Sequence, residues 1–234
     1  MMRHLWLAAM TTITCVLSAI ATAQTPTAVT LRFDFFYNDI KIANTTDTFM
    51  PAADGTYTLR SHAASVGLAK LLHGDVNRES QGRLDEIHGL QMHRYSETRG
   101  KKKPQSAVFN EVTDTLLLQR GDDNREEQTE APLFDYLTAL YRSYVLGRVV
   151  DGKTPTTNGW RLKTYNYTAG TAEDVQTGAG TMQAVPLRRH SERGERILWL
   201  APALNFLPVR LHIDDKGHVF KLVLVGYSGI NIDG

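Results

Sequence analysis

The stretch PLFDYLTALYRSYVLG, residues 132–147, carries a helical period in a chain that otherwise alternates. Leu133, Tyr136, Leu137, Leu140, Tyr141 and Tyr144 fall at i, i+3, i+4, i+7, i+8 and i+11 and draw one apolar stripe. Pro132 suits the first helical position, and Asp135 lies in the first turn, where the helix dipole favours a carboxylate. Gly147 suits the stop. The spacing predicts a helix over 132–146.

On either side of this stretch the period falls to two. Leu31, Phe33, Phe35 and Tyr37 alternate with Arg32, Asp34 and Asn38, an aromatic face on a strand over Val29–Tyr37. Asp54-Gly55 marks a hairpin, and Tyr57–Ala63 continues as a strand. Val66–Leu72 fits a short helix or another strand. Ser80–Ile87 and Leu90–Thr98 bracket a turn at His88-Gly89, and the basic run Arg99–Pro104 reads as a hairpin tip before Ala107–Gln119. Asp122–Glu130 reads as a polar loop. Downstream, Trp160–Tyr167, Met182–Arg188 and Ile197–Leu200 read as strands. Val209, Leu211 and Ile213 then lead into a closing hairpin whose second arm is His218–Tyr227. That arm is apolar on both faces, which places it centrally in a sheet.

One helix and roughly ten strands have a physical consequence. A sheet of that size must curl or close to bury its apolar face. The fold expected is mainly β: a strongly curved antiparallel sheet, an open barrel or β-spiral, wrapped around the one amphipathic helix.

The chain opens on Arg3 and His4, an apolar run from Leu5 to Ile20 and the triplet Ala21-Thr22-Ala23, the layout of a secretory signal peptide. The apolar run is short for a membrane crossing and is diluted by threonines, so cleavage between Ala23 and Gln24 is expected in place of an anchor. The residues before Cys15 do not form a lipobox. Residues 24–234 then make a single β-rich domain, exported to the periplasm, with no membrane span in the mature chain. Cys15 is the one cysteine, so the mature domain holds together without disulfides. Lys and Arg number 26 against 25 Asp and Glu, and Arg3 leaves with the leader. A balanced charge offers no long-range field for nucleic acid.

Chemistry-bearing patterns are sparse. The histidines show no His-Glu-x-x-His or i, i+4 pairing, although His88 and His93 flank one turn. Asp122-Asp123-Asn124 lacks the glycine and terminal glutamate of a calcium loop. Gly226-Tyr227-Ser228-Gly229 misses the nucleophile elbow because Ile230 holds the place of its second glycine. No metal, cofactor or catalytic residue is expected. The lysine tip Lys101–Lys103 reads as a solvated turn.

The order of several signals resembles a known family. Ser80-Gln81-Gly82, Gly89-Leu90 with Tyr95, Asp135-Tyr136-Leu137-Thr138 and Val150-Asp151-Gly152 carry the first part of the likeness. Ile197-Leu198-Trp199-Leu200, Leu207-Pro208-Val209-Arg210 and Gly217 carry the more specific second part. Together they are similar to the exported bacterial family catalogued as domain of unknown function 3108, over roughly Leu31 to Tyr227. Gln91-Met92 and Asn110 depart from the family's pattern. The resemblance implies a periplasmic protein of curved β architecture, with no catalytic residues to carry over.

The functional expectation is a non-catalytic envelope protein. It would hold an apolar or amphipathic ligand, such as a lipid, on the concave side of the sheet. Tyr141, Tyr144 and Trp199 are the candidate wall, each offering an apolar ring with one polar atom. A scaffold or accessory role, binding an envelope protein partner by a sheet edge or polar loop, is the alternative. A hydrolase acting on the cell wall is a third reading without a motif behind it.

Overall fold

The computed structural model describes residues 26–72 and 74–230. The leader and its Ala23–Gln24 junction lie outside the described residues.

The first half of the chain is an antiparallel meander. It comprises β1 (Val29–Tyr37), β2 (Ile40–Pro51), β3 (Thr56–Ser65), a short helix α1 (Leu68–Leu72), β4 (Val76–Asp85), β5 (Gly89–Arg99), β6 (Gln105–Asn110), β7 (Thr115–Arg120) and β8 (Asp123–Gln128). A two-residue strand β9 (Phe134–Asp135) then leads into α2 (Thr138–Leu146). The second half holds β10 (Gly152–Thr157), β11 (Leu162–Ala169), β12 (Glu173–Thr177), β13 (Gly180–Ser191) and β14 (Gly194–Ala201). It closes with β15 (Leu207–Asp215) and β16 (His218–Ser228).

All strands join one curved, unclosed sheet in the order β8-β7-β6-β5-β4-β3-β2-β1-β16-β15-β14-β13-β11-β10-β9, with β12 paired to β13. Pairing is antiparallel except between β9 and β10. Curvature brings the two ends of the sheet together without a ladder. Met92 N donates to Leu133 O at 3.1 Å, and Arg125 Nη2 donates to Trp160 O at 2.7 Å. Arg120 and Arg125 both stack on the Trp160 ring, at 4.7 and 4.9 Å, and fasten the seam.

Several expectations change. Among the described residues sixteen strands replace roughly ten, because short polar strands such as β8 and β12 carry no apolar alternation. The segment 122–130, expected as a loop, holds edge strand β8, exposed along most of its length. Val66–Leu72 contains helix α1. Helix α2 begins at Thr138, six residues after Pro132, because Phe134 and Asp135 pair with Thr156 and Thr157. Asp135 nevertheless acts on the helix start: its Oδ1 accepts from the N–H groups of Leu137 at 2.7 Å and Thr138 at 3.1 Å. Gly147, with φ 61°, ends the helix as expected. Strand β16 is central, between β1 and β15, yet only Leu224 along it is fully buried.

Helix α2 packs against β5 and β15. Leu137, Tyr141 and Tyr144 are buried in the main core with Leu31, Phe33, Phe49 and Leu59, whereas Leu140 is only half-buried. Gly89 lets the helix approach β5, since a Cβ there would stand 2.6 Å from Arg142 O. Among the described residues no helix is long and apolar enough to cross a membrane.

Candidate functional site

Residues paired directly across antiparallel strands share a face, so the register maps the concave side. Val29, Leu31 and Phe33 of β1 are buried there. Toward the other end of the same strand come Phe35 and Tyr37, both half-buried. From Phe35 a row runs through Leu222, Leu211 and Leu198 to Leu187. From Tyr37 a second row runs through Phe220, Ile213 and Arg196 to Arg189. Phe35 stacks on Phe220 at 6.1 Å, and Tyr37 lies 5.1 Å from it.

The facing wall is polar. The row Leu31, Asp47, Ser61, Arg78, Glu97 crosses β1 to β5. Glu97 accepts from Arg78 Nε at 2.6 Å, Arg99 Nη2 at 3.0 Å and the Tyr95 hydroxyl at 3.3 Å. Tyr136, just before α2, stands between the walls. Burial pushes its phenol up, Tyr165 and Glu97 push the same way, and Arg196 and Arg78 oppose. Arg196 lies 5.9 Å from the Tyr136 ring, and Arg189 sits 4.2 Å over Tyr165. These elements therefore frame a half-buried mouth at one end of the concave face, apolar along β13–β1 and arginine-rich around Tyr136. Among the described residues Arg189 and Arg196 have no carboxylate partner. The Nε atoms of Arg99 and Arg189 are buried without an acceptor.

Below the mouth the interior is filled. The space between α2 and the second half of the sheet measures about 10 Å³, lined by Tyr136, Leu140, Arg142, Thr154, Leu187 and Leu198. That is room for about one water. Tyr141 and Tyr144 lie in the packed core beside α2, whereas Trp199 alternates with Leu198 along β14 and turns to the opposite face, toward β12. The Tyr141 hydroxyl donates to Asp47 Oδ2 at 2.9 Å, and Tyr144 donates to Thr27 O at 3.0 Å while meeting Phe49 edge-on. Trp199 Nε1 donates to Glu173 Oε1 at 2.6 Å, and Arg210 lies over its ring. All three join one core cluster, and each polar tip is taken by the protein itself. The arginines of the mouth carried no motif. The nearest sequence signal was Arg189 and Arg196 standing in line with apolar residues of strands otherwise read as core.

Two further polar groups sit in the core. Asp135 is fully buried, and burial pushes its carboxyl up to about 6 against hydrogen bonds from Ser80, Thr138 and Leu137. Ser80 Oγ, which donates at 2.5 Å, also meets the Tyr57 hydroxyl at 3.3 Å. Asp47 is likewise raised by burial, with Ser61, Tyr141 and Arg78 opposing. Among the described residues neither carboxylate hydrogen-bonds a histidine; Ser80 donates to Asp135 and Tyr141 to Asp47. On the outer side an open groove of about 700 Å³ crosses the ends of β3 to β6. There Glu111 accepts from Arg83 at 3.2 Å and from His93 at 3.1 Å, while Arg94 has no carboxylate partner among the described residues. His88 pairs with Asp85 instead, so the two histidines of that turn have separate partners. Among the described residues no three His, Cys, Asp or Glu side chains group as metal ligands.

Fold and mouth together define the class: a β-barrel-like sheet protein, open at its seam, with a packed interior and one half-open end. A crystal structure of a β-barrel-like protein of domain of unknown function DUF1849 from Brucella abortus has the same architecture, with TM-score 0.55 and 10% identity. The match covers 90% of this chain and 100% of that one. At that identity the likeness concerns the fold alone. The chain belongs to the protein family of unknown function DUF3108, whose profile matches residues 32–225. No curated protein matches it.

Proposed function

We propose that this is an exported, periplasmic, non-catalytic binding protein that takes an amphipathic ligand at the mouth of its concave face. One observation carries the reading: two apolar rows, ending in Phe35, Phe220, Leu222 and Ile213, stand half-buried beside arginines that have no carboxylate of their own. Water is a poor neighbour for the first and a replaceable one for the second. A ligand with an apolar tail and a polar head satisfies both. The filled interior keeps the ligand at the mouth. Tyr141 and Tyr144 pack beneath it, locked by Asp47 and Thr27, while Trp199 supports the sheet from its other face through Glu173. The signal-peptide layout of residues 1–23 supports the compartment.

The experiment is recovery of the protein from the periplasm with its native leader, followed by mass spectrometry of co-purified small molecules and a thermal-shift screen. A ligand at 100 times its dissociation constant adds ~2.7 kcal/mol, which in a domain of this size raises Tm by roughly 5–10 °C. A flat response to short-chain amphiphiles, with no co-purified molecule, overturns the reading. The partner-binding scaffold then becomes the better account, with edge strand β8 and the tip Lys101–Lys103 as its surfaces.

A further inference from the structure

Resting on that reading, we infer that the mouth selects an amphiphile with a phosphate head, held by Arg189 and Arg196 on one wall and Arg78 and Arg99 on the other.

The charge balance points to an anion. Arg78 and Arg196 stand by Tyr136, Arg189 by Tyr165 and Arg99 by Glu97, against two carboxylates on the polar wall: Glu97, shared by Arg78 and Arg99, and the buried Asp47 beside Arg78. Arg189 stands directly opposite Arg196 in the register of β13 and β14. Two like charges at directly paired positions repel, and an anion between them removes that repulsion. Arg189 lies over Tyr165 at 4.2 Å and Arg196 over Tyr136 at 5.9 Å, and among the described residues neither guanidinium has a carboxylate to pair with.

Head-group chemistry follows from the number of donors. A carboxylate brings one charge and two oxygens. A phosphate monoester brings nearly two charges and three free oxygens, enough for guanidinium forks on both walls. The apolar rows begin beside Arg196, at Ile213 and Phe220 of the same register row, so a head seated on the arginines sends its chain along Leu222 and Phe35.

Four soluble probes separate head from tail in isothermal titration of the intact protein: octyl phosphate, octanoate, octyl glucoside and inorganic phosphate. Octyl phosphate should bind at least tenfold tighter than each of the others. Arg189→Ala with Arg196→Ala should remove that preference while octyl glucoside binding stays within twofold. Arg196→Gln alone, a smaller change that removes the charge and keeps the inner part of the side chain, should reduce it severalfold, which keeps the test available should the double variant fail to fold. Equal binding of octyl phosphate and octyl glucoside, or of octyl phosphate and octanoate, overturns the phosphate inference and leaves the amphiphile reading standing. Inorganic phosphate binding as tightly as octyl phosphate assigns a free-anion site and overturns both. Failure of all three eight-carbon amphiphiles to bind overturns the underlying reading.

Discussion

The Tyr141 hydroxyl of α2 and the Asp47 carboxylate of β2, 94 residues apart, share a buried hydrogen bond of 2.9 Å. The bond fastens the helix to the sheet at the level where the packed interior gives way to the polar band. Among the described residues Asp47 Oδ1 has no hydrogen-bond partner, so the carboxylate depends on Tyr141 and its other neighbours for compensation. Tyr141→Phe should cost ~1–3 kcal/mol in urea denaturation. In an Asp47→Asn background the cost should shrink, because a neutral amide accepts more weakly than a carboxylate. Equal costs in both backgrounds would show that the two side chains are not coupled.

Asp135 makes stability depend on pH. Its folded carboxyl is pushed up to about 6, while an unfolded one titrates near ~3.9. Between those values the folded protein binds the extra proton. The favourable contribution is therefore complete below pH ~4 and is lost as pH rises through about 6. The gap corresponds to roughly 3 kcal/mol. Asp135→Asn keeps the shape and cannot ionise, so its melting temperature should lack this fall. Asp47, also raised, adds in the same direction, whereas lowered carboxylates such as Asp85 act only at more acid pH. Parallel profiles for parent and Asp135→Asn between pH 4 and 7 would refute the assignment.

The helix stripe is not uniform in depth. Leu137 is 3% exposed, and Leu137→Ala should cost ~2–5 kcal/mol. Leu140, half-buried, should cost clearly less. Equilibrium unfolding of the two single variants checks the order, and the reverse ranking would mean that the helix is rotated about its axis.

Gly82 sits at the register shift between β4 and β5, where a Cβ would fall 1.9 Å from Gln91 O. The obstacle is backbone and cannot swing away. Gly82→Ala should destabilise at or above the top of the ~1–3 kcal/mol range for overpacking. A variant with an unchanged denaturation midpoint would show that the bulge relaxes freely.

Trp199 holds β12 through Glu173 at 2.6 Å, and β12 otherwise pairs with β13 alone. Trp199→Phe should speed amide exchange across Glu173–Thr177 while β14 and β15 stay protected. Uniform exchange along the sheet would instead mark the indole as ordinary core.

Alternation in Val29–Tyr37, turns at Asp54-Gly55 and His88-Gly89, and the helical stripe ending at Gly147 were all open to reading, because each depends on neighbours a few residues away. The same locality made a mainly β, curled sheet readable before any coordinates. Polar strands β8 and β12 were not, since their pairing comes from a partner strand and not from their own composition. Nor was the start of α2, where Phe134 and Asp135 pair with Thr156 and Thr157, residues that follow the helix.

Sequence alone determined which residues are apolar on which face of each strand, because that partition is a property of a two-residue repeat. Only the tertiary structure decided that Arg78 of the first half and Arg196 of the second meet at Tyr136, with Arg189 over the neighbouring Tyr165. It likewise decided that Tyr141, Tyr144 and Trp199 turn their polar tips onto Asp47, Thr27 and Glu173. Curvature of the whole sheet sets those meetings, and curvature accumulates from the twist of every strand pair, a sum that no local stretch of chain contains.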